Sequence, residues 1–292
     1  MIKEKRLAYA AWIAVCFFWG TGYLATRIGV QNMPPMLFSG LRIFAAGLIL
    51  TVILILRRER LPRGSEWAHL SVIGIALEGV SNGILAWSAQ WVTSSMMALL
   101  AAMTPFWMVG IEAMIPGGEK LTLRIIFGLL LGFGGLIWLL KPELKGFSLD
   151  SKFLIGCLSI QLVCISYGAG SIYSRRVRLS TRSMMSAGIQ MLFAGVILLL
   201  IGTIWNEWSR LYFNASSLSA ILYLLIFGSI IGYSSYIYSL QKLPVSLVSL
   251  HRYINPVVAI LLGWIILGEK LSANTIIGVI IIASGVILVQ KK

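Results

Sequence analysis

Apolar residues along this chain come in long unbroken runs, without the polar–apolar alternation of a barrel strand. Ten runs are long enough for a helix to cross a hydrocarbon core of roughly 30 Å, which takes about 17–25 residues. They cover 8–28, 34–56, 67–88, 94–115, 121–140, 153–173, 183–205, 217–239, 245–267 and 273–290. Inside lipid only helices and closed barrels pair all their backbone groups, and run length selects helices. The expected fold is therefore an all-α integral membrane protein with ten transmembrane helices. The longest links, near 141–152 and 206–216, are too small for a soluble domain. The opening MIKEKR and the ~20 apolar residues after it exceed the ~7–15 of a signal peptide's apolar core. No small-residue cleavage site leads into a polar mature chain, so this run reads as the first spanning helix.

Composition agrees. The chain is 58% apolar and 12% charged, with a mean hydropathy of +0.89, whereas a soluble domain is about 25% charged. Too little polar surface is present to cover a water-soluble fold of this length. Cys16, Cys157 and Cys164 lie inside apolar runs without a CxxC pair, which argues against a disulfide framework or a zinc site. The net charge of +14 invites a nucleic-acid reading, but its placement argues otherwise. With the N-terminus inside, sixteen Lys and Arg fall on the inner side and five, Lys141, Lys145, Lys152, Arg210 and Lys270, on the outer. That asymmetry is the positive-inside rule. It predicts cytoplasmic N- and C-termini and no nucleic-acid partner. Arg27, Arg42 and Arg252 remain within predicted helices.

The chain also repeats itself. GGEKLTLRIIFG at 117–128 returns as LGEKLSANTIIG at 267–278, and SGLRIFAAGLIL at 39–50 as AGIQMLFAGVIL at 187–198. WGTGYLATR at 19–27 matches YGAGSIYSR at 167–175, and Gly128 and Gly135 match Gly278 and Gly285. Two five-helix halves follow, 1–141 and 152–292. An odd helix count inserts the second half upside down, the inverted repeat common among secondary transporters. Two similar halves have two nearly equivalent arrangements, which suits alternating access.

The stretches 17–50 and 249–288 resemble the start and end of an EamA-type repeat of the drug/metabolite transporter superfamily. The resemblance rests on Trp19-Gly20, Pro35, Arg42, Pro105 with Glu119, and Pro256 with Glu269. It covers nearly the whole chain in two copies and implies a ten-helix metabolite carrier of the plasma (inner) membrane, often an exporter, with amino acids or similar compounds as substrates. Tyr167 stands where Trp19 does and Gln190 where Arg42 does, so the halves are expected to share polar functions unequally.

Pro105 and Pro256 fall mid-helix at matching points. Each removes a backbone hydrogen bond, and interrupted helices in both halves point to a carrier's site; the alternative is a packing kink without substrate contact. Intramembrane charge is the second pointer, because an unpaired charge at mid-bilayer costs at least ~2.5–3.5 kcal/mol. Arg42, Glu78 and, one turn on, Asn82 are such residues. Arg42 and Glu78 either form a structural ion pair, or Arg42 or Arg252 holds a substrate carboxylate or phosphate while Glu78 titrates or contacts an amine. His251 and Arg252 point about 100° apart, so one of them is expected to face a cavity, near Asn255. Trp19, Trp87 and Trp107 with Tyr23 and Tyr167 form either an aromatic wall of the path or ordinary packing. Glu112 lies near the cytoplasmic end of its helix, within reach of the interface. The Gly-Glu-Lys-Leu loops read as connectors whose acid favours a helix N-terminus.

No G-x-x-x-x-G-K-[ST], HExxH or G-x-S-x-G occurs, so neither an enzyme nor a cofactor is expected. The reading is a secondary exporter of small organic metabolites, with the substrate, protons and the lipid bilayer as partners, acting as a monomer or homodimer. Multidrug efflux, sugar or nucleotide-sugar transport, and lipid scrambling are the alternatives.

Overall fold

The computed structural model describes residues 2–140, 151–177, 179–258 and 273–290. These form helices α1 (Glu4–Val30), α2 (Pro35–Leu56), α3 (Glu66–Ser88), α4 (Met96–Met114), α6 (Ser151–Arg176), α7 (Ser183–Ile204) and α8 (Ala215–Lys242), seven that are long and apolar enough to cross a membrane. Between and after them come α5 (Leu123–Leu140), α9 (residues 245–249 and 251–258) and α10 (Ala273–Gln290). No strand occurs among the described residues. The sequence led us to expect ten spans. Beside the seven long helices, α5 and α10 are apolar helices of 18 residues at the positions of the fifth and tenth runs, and the second part of the ninth run lies outside the described residues.

Local chemistry sets the helix starts. Pro35 occupies the first turn of α2, where its missing N–H costs nothing. Thr93 accepts from Met96 N ahead of α4. Asn214 and Ser217 form a reciprocal capping box at α8, so the sequon asparagine serves as a helix cap.

Without a hydrophobic drive between helices in lipid, close packing relies on small residues. At the α2–α7 crossing a Cβ on Gly47 would sit 2.7 Å from Leu192 N, and one on Gly195 would sit 2.6 Å from Phe44 Cα. Gly40 likewise meets Leu199, and Gly188 meets Thr51. Under the offset that aligns 39–50 with 187–198, these contacts exchange in pairs, as they do across a two-fold axis. Between α5 and α10, Gly128 faces the Gly285 carbonyl and Gly278 the Gly135 carbonyl, again an exchanging pair. Large apolar side chains such as Leu56, Phe127, Leu158 and Ile204 cover the outside, a surface suited to lipid.

One end of the bundle is tied across the two halves of the chain. Glu112 accepts from Arg176 at 3.0 Å, and Glu59 pairs with Arg182. Glu66 accepts from Ser180 N and from Thr181 Oγ1 at 3.0 Å. Glu119 holds Ser246 at the start of α9, through Oγ at 2.6 Å and N at 3.2 Å, and Glu4 lies 3.9 Å from Lys242. Every acid of residues 1–140 except Glu78 therefore reaches into the second half. The first Gly-Glu-Lys-Leu acid, Glu119, serves the N-terminus of α9 rather than of the helix that follows it; the second, Glu269, lies outside the described residues.

Candidate functional site

A cavity of about 90 Å³ opens among α1, α2, α3, α6, α8 and α9, room for several waters at ~10–15 Å³ each. Trp19, Tyr23, Arg42, Glu78, Asn82, Tyr167, Arg252 and Asn255, all singled out from sequence, line it. Two departures in backbone geometry frame it. Residues Ile75–Val80 of α3 and Leu224–Tyr233 of α8 are wound as π-helix, a form that collects at functional sites. The first presents Leu77 and Glu78 to the cavity, the second Leu224 and Gly228. Trp19 Nε1 donates to Gly228 O at 2.9 Å, which braces α1 against the second π segment.

Arg42 and Glu78 make no direct ion pair. Asn82 stands between them. Its Oδ1 accepts from Arg42 Nη2 at 2.7 Å while its Nδ2 donates to Glu78 Oε2 at 3.2 Å. Arg42 Nη1 donates to Ser229 Oγ at 3.0 Å. Arg252 donates to Tyr23 OH at 2.7 Å and lies 4.9 Å over the Tyr167 ring, a cation–π contact. Both guanidiniums are buried, both bind only neutral groups, and the Nε of each has no partner. Among the described residues, two cations thus share the cavity with one carboxylate.

Aromatic rings close the cavity on the side of the acidic ties. Trp19 stacks on Tyr236 at 5.3 Å and meets His251 edge-on at 5.2 Å. Tyr167, the residue matched to Trp19 in the second half, packs on Tyr236 at 5.2 Å. His251 points into this cluster and Arg252 into the cavity, so one of the neighbouring pair faces it. Gln190, matched to Arg42, is fully buried and accepts from Tyr233 OH at 2.7 Å. It does not reach the cavity, and the two halves contribute unequally.

Trp87 and Trp107 lie elsewhere. Trp87 packs against Trp91 at 4.6 Å, and Trp107 is exposed on the bundle surface with Nε1 donating to Gln161. Neither proline lines the cavity. Pro105 follows a break in α4 at Ala102–Met103, where Thr104 Oγ1 donates to Ala101 O at 2.6 Å in place of the missing N–H. In α9 the interruption is at Leu250, and the Asn255 amide, with nitrogen inward, donates to His251 O at 2.7 Å and Cys16 O at 3.1 Å. The α9 break delivers Arg252 and Asn255 to the cavity, whereas the α4 break delivers no side chain. Ser81, Ser229 and Thr26 escaped sequence reasoning because small hydroxyls look ordinary in a helix. The signal was present, since the offset that aligns α2 with α7 also pairs Ser81 with Ser229.

Comparisons with known proteins add to this geometry. The model of the EamA-like transporter family matches residues 6–141 and again 154–290. "Uncharacterized inner membrane transporter YedA" of Escherichia coli (strain K12) is 33% identical over 282 residues, 96% of this chain and 90% of that protein. "Uncharacterized transporter YoaV" of Bacillus subtilis is 24% identical, covering 94% of each chain. "Protein PecM" of Dickeya dadantii is 26% identical over 98% of this chain and 92% of its own. A solved crystal structure superposes with a TM-score of 0.80 at 21% identity, over 97% of this chain and 96% of that one, a likeness of fold.

Proposed function

Since the chain belongs to the EamA-like transporter family, we propose that it is a secondary active exporter of small organic metabolites bearing a carboxylate, amino acids foremost. The observation that carries this reading is the pair of buried arginines, Arg42 and Arg252, each bound only to neutral partners and each with a free Nε. A charged group in hydrocarbon is costly and tends to mark a substrate or ion path. An anionic group entering between them balances the excess charge and satisfies the open donors. Glu78, held through Asn82, is placed for a substrate ammonium or a coupling proton.

The movement is alternating access between two inverted five-helix repeats, 1–141 and 152–292, of a ten-helix bundle with cytoplasmic termini in the plasma (inner) membrane. The exchanging glycine contacts of α2 with α7 and of α5 with α10 support a two-fold relation between the halves. The lining residues lie toward the end away from the acidic ties, which supports a state closed on the cytoplasmic side.

The test is efflux from liposomes loaded with amino acids, sugars, nucleotides and amphipathic cations, with and without a pH gradient. We expect selective release of carboxylate-bearing solutes. Arg252→Gln should raise KM about 10–100-fold, the loss of one hydrogen bond to a charged group. Glu78→Gln should abolish gradient dependence if coupling runs through that carboxyl. Release of cations alone, or of sugars alone, refutes the carboxylate reading, and lipid flipping without solute movement refutes the carrier.

A further inference from the structure

A second cavity, of about 660 Å³, lies at the tied end of the bundle, between the start of α1, the end of α2, the start of α7 and the second half of α8. Its walls are apolar: Leu7, Leu54, Met184, Ile230 and Ile231 line it. Leu7, Met184 and Ile231 are also partly exposed on the bundle surface, so the hollow communicates with the bilayer. Its rim is charged, with Arg182 and Lys242 against the single lining carboxylate of Glu59.

Length sets what fits. Ile230 and Lys242 are twelve residues apart on one helix, the first turn of that stretch being π-wound, at most roughly 18 Å of rise at ~1.5 Å per residue. That is about the depth of one leaflet of a ~30 Å core. The hollow therefore runs from headgroup level to the bilayer middle, charged at one end and apolar at the other. Between these ends sits Ser234, 93% buried by its 7% relative exposure, whose Oγ has no hydrogen-bond partner. An unpaired buried hydroxyl is a cost that a ligand acceptor removes.

We propose that this hollow binds one anionic glycerophospholipid. An acyl chain lies along Leu54, Ile230 and Ile231, an ester carbonyl accepts from Ser234 Oγ, and the phosphate lies between Arg182 and Lys242. The existing pairs do not compete strongly. Lys242 is 3.9 Å from Glu4, and Arg182, paired with Glu59, has its side chain 78% exposed, where an ion pair adds little. Arg182 and Lys242 each spend a single contact on an acid, Glu59 and Glu4, and keep their remaining N–H donors for a phosphate, as in basic pockets between spanning helices. The walls come from both halves of the chain, so the lipid bridges them at the end where the acidic ties lie.

The experiment is native mass spectrometry of the whole protein, titrated in detergent with phosphatidylglycerol and, separately, phosphatidylcholine of identical chains. We expect one tight phosphatidylglycerol adduct, preferred by roughly tenfold, the scale that one or two basic side chains set at a membrane surface. Arg182→Gln with Lys242→Gln should bring the two lipids near parity. Ser234→Ala should weaken both headgroups alike. Equal binding of the two lipids by the unaltered protein overturns the proposal, with no variant needed. So does a preference that survives loss of both rim cations in a variant of unchanged melting temperature.

Discussion

Arg176→Gln tests whether the acidic ties hold one of two arrangements of the bundle. Arg176 donates to Glu112 Oε1 at 3.0 Å and to Pro116 O at 3.1 Å. The Glu112 side chain is 7% exposed, and its second oxygen, Oε2, has no partner at all. Losing the arginine leaves a buried carboxylate without its only charged partner, which costs about 1–3 kcal/mol. Arg176 is itself 33% exposed, so solvent screening places the value near the lower half of that range. About 1.4 kcal/mol is a tenfold change in an equilibrium, and the untied population should rise by roughly that factor.

The assay reads Ala8, which is fully buried and whose carbonyl accepts from Ser239 Oγ of α8. Ala8→Cys on a background with Cys16, Cys157 and Cys164 replaced by alanine becomes a maleimide target only when α1 and α8 separate. We expect labelling about tenfold faster with Arg176→Gln, and close to the parent rate with Glu112→Gln added, because replacing both partners leaves no bare charge. Arg210→Gln, at the opposite end, is the control and should change nothing. An unchanged rate with Arg176→Gln in folded protein, or an equal increase with Arg210→Gln, refutes the gating role of the ties.

Two further outcomes test the packing and the loop after α7. Gly195→Ala should destabilise the protein by about 1–3 kcal/mol, because its Cβ meets Phe44 backbone; Gly110→Ala, with open space around it, should be neutral or slightly stabilising, and thermal melts that do not separate the two would contradict the helix contact. Glu207 lies outside the spans, is 1% exposed, and accepts from Leu37 N at 2.9 Å at the start of α2. Burial pushes its carboxyl above the ordinary value, against the opposing pull of that hydrogen bond and of Arg210. The folded state thus holds this proton more tightly than the unfolded chain does, and its contribution to stability is present at low pH and lost as pH rises through the raised value. Melting temperature should fall more steeply in the parent than in Glu207→Gln as pH rises above the ordinary carboxylate range, and parallel profiles would show that Glu207 contributes nothing to the slope.

Much of the class and the halves was legible in the chain because both rest on patterns that need no partner. Long apolar runs state that a segment crosses lipid whatever it packs against, and the repeat of Gly-Glu-Lys-Leu, of matched glycines and of mid-helix prolines is visible without coordinates. Residues such as Arg42, Glu78, Asn82 and Arg252 announced themselves because a polar side chain in hydrocarbon demands an explanation. Only the tertiary structure decided how they meet. Sequence spacing could not distinguish a direct Arg42–Glu78 pair from one relayed by Asn82, since that depends on how α2 and α3 are rotated against each other. It could not separate Trp19, stacked at the cavity floor, from Trp107, turned to the outside, because an aromatic residue is at home in either place. Nor could it show that Glu4, Glu59, Glu66, Glu112 and Glu119 all reach across to the other half. Each acid sits near a helix end, where local reasoning offers it solvent or the nearest N-terminus. Its actual partner lies at least 64 residues away in the chain and is set by the packing of the two halves.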